Sequence, residues 1–325
     1  MPGRVPGGER SDRDNLVDGR GRLTGVLEHL RSWTPPAVDA LAALESRVVR
    51  ADGGRLKLEW GTLRARSGEV VRDLLWWEGD RLLGFLGIYS FGSTPELAGM
   101  VDPAARRRGI GTTLLEAALA LLRPAGTEST LLVTPRQSPG GREFALRYGG
   151  TLDRSEHALV LDQALAEGSS DPRITLRRAT PDDAAEIGRL LGAAFGWAPG
   201  NLPEVLAAGD EPMTLVAFDG VAVGSLRTTR DGAVGGVYGF AVDPQWQGRG
   251  IGRDVLRRVC RQLLAEGADR VALEVAVDNE HALGLYTSLG FVPVATEDYY
   301  CIRLAGSQPA RVGWSGVPRD ASTRR

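Results

Sequence analysis

Two hydrophobic periods alternate along this chain. Val255, Leu256, Val259, Leu263 and Leu264 recur at helical spacing with Arg257, Arg258 and Arg261 on the opposite face, which predicts an amphipathic helix from about Gly252 to Ala265. Arg270-Val-Ala-Leu-Glu-Val-Ala-Val277 instead alternates, with Val271, Leu273 and Val275 on one face and Ala272, Glu274 and Ala276 on the other, which predicts a strand. Thr214 to Phe218 and Val221 to Leu226 flank Asp219-Gly220, a hairpin signal, and Val237-Tyr-Gly-Phe-Ala-Val242 is a further strand. Ahead of them, Ile174-Thr-Leu-Arg-Arg is a short strand. Thr180 then opens a helix as N-cap, with Pro181 at its first position and Asp182 and Asp183 at the positive end of its dipole. Asn279 caps a last helix ending near Gly290, and Tyr300-Cys-Ile-Arg-Leu304 is the last strand. The order strand, helix, hairpin, strand, helix, strand, helix, strand specifies a mixed α/β unit around one sheet.

The pattern occurs twice. Val101-Asp-Pro-Ala-Ala-Arg-Arg-Arg-Gly-Ile-Gly111 and Val242-Asp-Pro-Gln-Trp-Gln-Gly-Arg-Gly-Ile-Gly252 agree at seven of eleven positions, 141 residues apart, and the hairpin glycines Gly79 and Gly220 share that offset. A period of this length is a domain, not a solenoid unit. Residues 21–162 and 174–304 are therefore expected to form two copies of one domain, joined by a linker over 163–173, with 1–20 and 305–325 as solvated tails.

Composition narrows the partners. A formal net charge of -2 and a pI of about 6.0 give no global attraction to nucleic acid or an anionic membrane. No apolar run approaches a membrane span and no leader pattern opens the chain, so a cytoplasmic protein is expected. Cys260 and Cys301 read as packed thiols, and the scattered His29, His157 and His281 suggest no metal centre. Lys57 is the sole lysine among many arginines.

The repeated turn carries the chemistry. In Gln247-Gly248-Arg249-Gly250-Ile251-Gly252-Arg253 the glycines let phosphate oxygens reach backbone N–H groups at a helix start, and the arginines add charge-assisted contacts at the rim. Arg106, Arg107, Arg108, Gly109, Ile110 and Gly111 repeat the arrangement. A dinucleotide turn would need a third glycine where Val255 stands and an acidic residue near Arg270; a P-loop lysine is absent. The run Arg106 to Arg108 has no aromatic partners of a nucleic-acid surface.

Gln247-x-x-Gly250-x-Gly252 and Arg106-x-x-Gly109-x-Gly111 resemble the signature of the GCN5-related N-acetyltransferases, and the element order is similar to that fold in both halves. The resemblance spans about residues 20–304 and implies two tandem domains of that family in an α/β, mixed-sheet architecture. It implies acetyl-CoA as cosubstrate, its pyrophosphate on the turn and its pantetheine along Phe240, Ala241 and Val242, and no resident metal. The Asn279…Tyr286…Gly290-Phe291 segment strengthens the match, with Asn279 on the coenzyme side and Tyr286 at the position of the family's general acid. A tyrosine, with a reference pKa of about 10, stays protonated at neutral pH and can supply the departing thiolate's proton. The bland alternative for Tyr286 is a core position beside Ala282, Leu285 and Leu289.

Under the 141-residue offset Tyr286 faces Ala145, Asn279 faces Ser138 and Phe291 faces Gly150, so the N-terminal copy is expected to be degenerate and the C-terminal copy catalytic. Glu274, on a central strand, is a candidate general base or a paired carboxylate. Asp298, Tyr299 and Tyr300, and Glu96 in the first copy, are candidate acceptor-side residues. The implied reaction moves an acetyl group to the primary amine of a small-molecule or peptide acceptor, in a monomer with an internal pseudo-dimer or in a homodimer. A non-catalytic acyl-CoA sensor or scaffold is the alternative from another class. Mycothiol synthases share the tandem arrangement, but this chain has Gly236-Val237 where those enzymes carry a glutamate base.

Overall fold

At the Asp219-Gly220 hairpin both residues take left-handed φ angles, 48° and 81°, as a two-residue connection between right-twisted strands requires. The computed structural model describes residues 12–17, 23–66, 68–90, 94–162, 165–208 and 212–304. The expected tail 305–325, most of the expected tail 1–20, and the linker positions Gln163 and Ala164 lie outside the described residues.

The N-terminal half runs β1 (Asp12–Val17), β2 (Leu23–Leu30), α1 (Pro35–Asp52), α2 (Trp60–Arg64), the hairpin β3 (Asp73–Glu78) and β4 (Arg81–Tyr89), then β5 (Glu96–Val101), α3 (Ile110–Leu122), β6 (Ser129–Pro135), α4 (Pro139–Arg147) and β7 (Thr151–Leu161). The C-terminal half repeats the order from β2 onward as β8 (Ile174–Arg178), α5 (Ala184–Phe195), α6 (Leu202–Ala208), the hairpin β9 (Met213–Phe218) and β10 (Val221–Asp231), then β11 (Val234–Val242), α7 (Ile251–Ala265), β12 (Arg270–Ala276), α8 (Glu280–Thr287) and β13 (Val292–Arg303). Two local expectations change. Residues 12–17, read as part of a tail, pair antiparallel with β2 and satisfy the backbone groups of that edge. Arg257 and Arg258, read as a polar face of α7, donate to the carbonyls of Ala166, Ser169, Asp171 and Ile174 and hold the linker against the helix.

All strands join one sheet in the order β1-β2-β3-β4-β5-β6-β13-β7-β12-β11-β10-β9-β8. The halves have thus exchanged their last strands. β13 lies against β6 of the N-terminal half, β7 lies against β12 of the C-terminal half, and the two pair antiparallel at the centre. Alternation along β13 sends Tyr300 and Ile302 into a core with Leu114 and Leu115 of α3, and Tyr299 into one with Leu41 and Leu44 of α1. A strand from one half therefore completes both cores of the other.

Candidate active site

Both turns are built alike. Asp102 accepts a 3.0 Å hydrogen bond from the Ala104 N–H, and Asp243 one of 3.0 Å from Gln245. Arginines hold the same carboxylates: Arg47 and Arg81 on Asp102, Arg189 on Asp243. The chain enters α3 through Gly109 at φ 88° and α7 through Gly250 at φ 81°. Arg106 and Gln247 each donate back to the last carbonyl of the preceding strand, Val101 at 3.3 Å and Val242 at 2.9 Å, so they brace the turn. Arg106 also pairs with Asp52, Arg108 with Glu78, and Arg249 lies over the Trp246 ring. Arg107 and Arg253 are exposed with no hydrogen-bond or ion-pair partner among the described residues, leaving their guanidinium groups for an anion beside the first helical N–H groups. Ile110 and Ile251 point away into the cores.

Ahead of each turn the parallel strands part. β5 pairs with β6 only from Glu96 to Ala98, and β11 with β12 only from Val234 to Val237. In the N-terminal half the gap opens into a cavity of about 530 Å³, walled by Gly99 to Val101, Val133 to Pro135, the turn and the start of α4 from Ser138 to Gly141. Its size is that of a ligand cleft. Ser138 caps α4 by accepting from Gly141 at 3.2 Å, and Asn279 caps α8 by accepting from Ala282 at 3.1 Å, so these facing positions do the same structural work.

Two features separate the halves. Ser225 of β10 pairs with Ala241 but Arg227 with Tyr238, which leaves Gly239, at φ 55°, and Phe240 bulged beside the gap; β5 runs in unbroken register against β4. A bulge turns backbone groups out of the ladder. The second feature is Tyr286, which is 7% exposed, packs 6.1 Å from the Phe291 ring, and has its hydroxyl pushed up to about 12 by burial. It is fully protonated at neutral pH. Its N-terminal counterpart, Ala145, is buried in the core with α3. A methyl group built on Gly252 would lie 3.3 Å from Leu285 and 3.8 Å from Phe240, so α8, the bulged strand and the turn converge there.

Glu274 lies at the junction of the halves. Lys57 donates to it at 2.8 Å and Arg55 at 3.0 Å. Burial opposes its charge, but these two cations outweigh burial and hold the carboxyl below its usual range. That pairing makes Glu274 a counter-ion and a weak base. Around it, Lys57 also donates to the Tyr299 hydroxyl at 2.6 Å, and Tyr299 donates to Glu156 at 2.6 Å. Arg154 bridges Glu96 and Glu156, each at 2.9 Å. Glu297 adjoins them, 1% exposed, with both carboxylate oxygens buried and without a hydrogen-bond partner. Of the predicted acceptor-side residues, Tyr299 and Glu96 join this cluster. Asp298 instead accepts from Arg136 and Ser155, and Tyr300 packs in the N-terminal core.

The acetyltransferase (GNAT) family model matches residues 35–149 and again 184–291. The chain belongs to this family. This acetyltransferase is 33% identical over 287 residues to a mycothiol acetyltransferase of Kineococcus radiotolerans, covering 81% of this chain and 92% of that one. It is 31% identical over 308 residues to another of Rhodococcus opacus, covering 83% and 98%. Its fold matches a GCN5-related N-acetyltransferase from Sphaerobacter thermophilus, with TM-score 0.71, 19% identity and coverage of 89% and 97%. It also matches a tandem GNAT protein from the clavulanic acid biosynthesis pathway, with TM-score 0.55, 18% identity and coverage of 73% and 83%. The tandem acetyltransferase is an enzyme of N-acetyl transfer, of a family whose members use acetyl-CoA. Among the described residues, no helix is long and apolar enough to cross a membrane and no group of ligating side chains is arranged for a metal ion.

Three residues of the acetyltransferase's central cluster, Lys57, Glu156 and Glu297, belong to no motif of the sequence. Signals existed. Lys57 is the sole lysine, and Glu156 and Glu297 occupy equivalent positions at the repeat offset. Their meeting follows from the exchange of β7 and β13, which no local pattern encodes.

Proposed function

We propose that the acetyl group of acetyl-CoA passes to the primary amine of a small-molecule acceptor in the C-terminal half. The bulge at Gly239-Phe240 carries this reading, since it has no N-terminal counterpart and releases backbone groups of β11 from the ladder beyond Val237, where β11 and β12 cease to pair. There they suit an oxyanion forming on the thioester carbonyl. Gly248, Gly250 and the first turn of α7 hold the pyrophosphate, with Arg249 and Arg253 at its rim, and Phe240 to Val242 flank the pantetheine. The acceptor nitrogen attacks the carbonyl carbon, the C–S bond breaks, and Tyr286 gives its proton to the leaving thiolate. Burial that keeps the Tyr286 hydroxyl protonated supports this role.

The relatives named mycothiol acetyltransferases support a small amine-bearing acceptor. A Cβ at Gly236, however, would meet the Tyr238 ring at 2.5 Å and the Thr229 hydroxyl at 2.6 Å, so a side chain at that point of β11 would have to displace them. Release of free coenzyme from acetyl-CoA in the presence of a panel of primary amines tests the assignment. Tyr286→Phe is expected to lower kcat by about 100-fold or more for acceptors of the C-terminal half, with little change in coenzyme affinity. Unchanged kcat in that variant would remove Tyr286 from the chemistry.

A further inference from the structure

We propose that Glu297 is the general base of a second acetyl-transfer centre in the N-terminal cleft, where it takes the proton from the ammonium of an amine acceptor. This centre stands apart from the chemistry proposed for Tyr286.

The placement comes first. Glu297 sits on β13 of the C-terminal half, yet it pairs across the sheet with Pro135 of β6, at the point where β5 and β6 part. It lines a small cavity of about 10 Å³ with Lys57, Leu58 and Ala98. Leu56, Gly99, Met100, Val133 and Pro135 wall both this space and the 530 Å³ cleft. The carboxylate therefore adjoins the inner end of a cleft whose outer end is the Gly109 turn. A coenzyme with its pyrophosphate on that turn and its arm between the strands would bring its acyl end toward Glu297.

Charge explains what the carboxylate lacks. Glu274 on β12 is paired with Arg55 and Lys57, while Glu96 on β5 and Glu156 on β7 are bridged by Arg154. Glu59 lies 3.5 Å from Arg55 and accepts from Tyr238, and Tyr299 of β13 bonds Lys57 and Glu156. The cations that face Glu297 are thus already engaged. An acceptor ammonium supplies the missing partner. Burial, reinforced by Glu274, pushes the Glu297 carboxyl up to about 7, although Arg55 and Lys57 pull the other way. A carboxyl in that range can both take and release a proton near neutral pH. Its cost to the fold would vanish with an apolar residue of similar size, which marks it as functional.

The step balances without another reactant. The Glu297 carboxylate takes one proton from the acceptor ammonium, and the free amine attacks the thioester carbonyl carbon. As the C–N bond is completed the C–S bond breaks, and the nitrogen's next proton goes to the coenzyme thiolate. Glu297 then returns its proton to solvent.

Turnover of acetyl-CoA with a panel of primary amines, measured in the full chain, in Glu297→Gln, in Tyr286→Phe and in the double variant, separates the two centres. Glu297→Gln is expected to lower kcat/KM by about 100-fold or more for acceptors of the N-terminal cleft. Turnover remaining in Tyr286→Phe should fall below pH 7 and disappear in the double variant, while calorimetry finds two coenzyme molecules per chain throughout. Turnover insensitive to Glu297→Gln in both backgrounds, or a single coenzyme site that Gly250→Ala abolishes, overturns this inference and leaves the Tyr286 assignment standing. Loss in Glu297→Gln with none in Tyr286→Phe overturns the Tyr286 assignment alone.

Discussion

Glu156 and Glu297 face each other directly across the central antiparallel pair of β7 and β13. They occupy equivalent positions of the repeat, yet their surroundings differ. Glu156 accepts hydrogen bonds from Arg154 and Tyr299, whereas both oxygens of Glu297 are buried without a partner. The internal duplication places two like carboxylates at its pseudo-twofold centre and neutralises one of them.

Stability should carry the signature of that asymmetry. The Glu297 carboxyl titrates at about 7 in the fold, against an ordinary value of 4.5. Its contribution is fully present below the unfolded pKa and is lost as pH rises through 7, because the folded state prefers the proton. Glu297→Gln is therefore expected to stabilise the protein by up to about 3 kcal/mol at pH 8 and by little at pH 4. Urea unfolding at the two pH values reads this, and an equal effect at both would refute it.

Lys57→Met leaves Glu274 with Arg55 alone and deprives the Tyr299 hydroxyl of its donor. Removing one partner from a buried ion pair typically costs about 3–5 kcal/mol, because the other charge stays desolvated. The denaturation midpoint should fall accordingly. A loss below about 1 kcal/mol would show that the pair is solvated in solution.

Residues 1–162 produced alone should not fold. Without β13 the inner edge of β6 is bare, and Tyr299, Tyr300, Ile302 and Leu304 are missing from the two N-terminal cores. Circular dichroism and amide dispersion should report an unfolded or aggregated chain, rescued by the complementary half. A cooperative thermal transition from 1–162 by itself would show that β7 can replace β13.

The turns discriminate between their glycines. Gly250 takes φ 81°, so Gly250→Ala should cost about 1–2 kcal/mol without ligand. Gly111 sits in the first turn of α3, where an added methyl group meets Phe144 and Val101 at 3.7 Å, ordinary contact. Gly111→Ala should be neutral or stabilise by up to about 1 kcal/mol. Thermal unfolding of the two variants compares them directly.

Much of each half was legible because its signals are local. The Asp219-Gly220 turn, the Gly250 entry to α7, the Asn279 cap and the alternation of β12 depend on residues close in sequence. Asn279 and Ser138 looked different as letters but cap their helices alike, since either side chain can accept from an N–H three residues on. The strand position of Glu274 follows from local alternation, but its partners Arg55 and Lys57 come from a segment more than 200 residues away.

The sequence by itself determined a duplicated α/β unit, two glycine turns of one design and Ala145 where the second copy has Tyr286, because periodicity, glycine placement and repeat register are written in order along the chain. Tertiary structure alone decided that the last strands change places, that Lys57 pairs with Glu274, and that Glu297 lines a small space sharing its walls with the N-terminal cleft. The physical reason is that strand pairing and burial join groups without regard to their separation in the chain. A buried charge then takes its character from whichever partners the fold supplies.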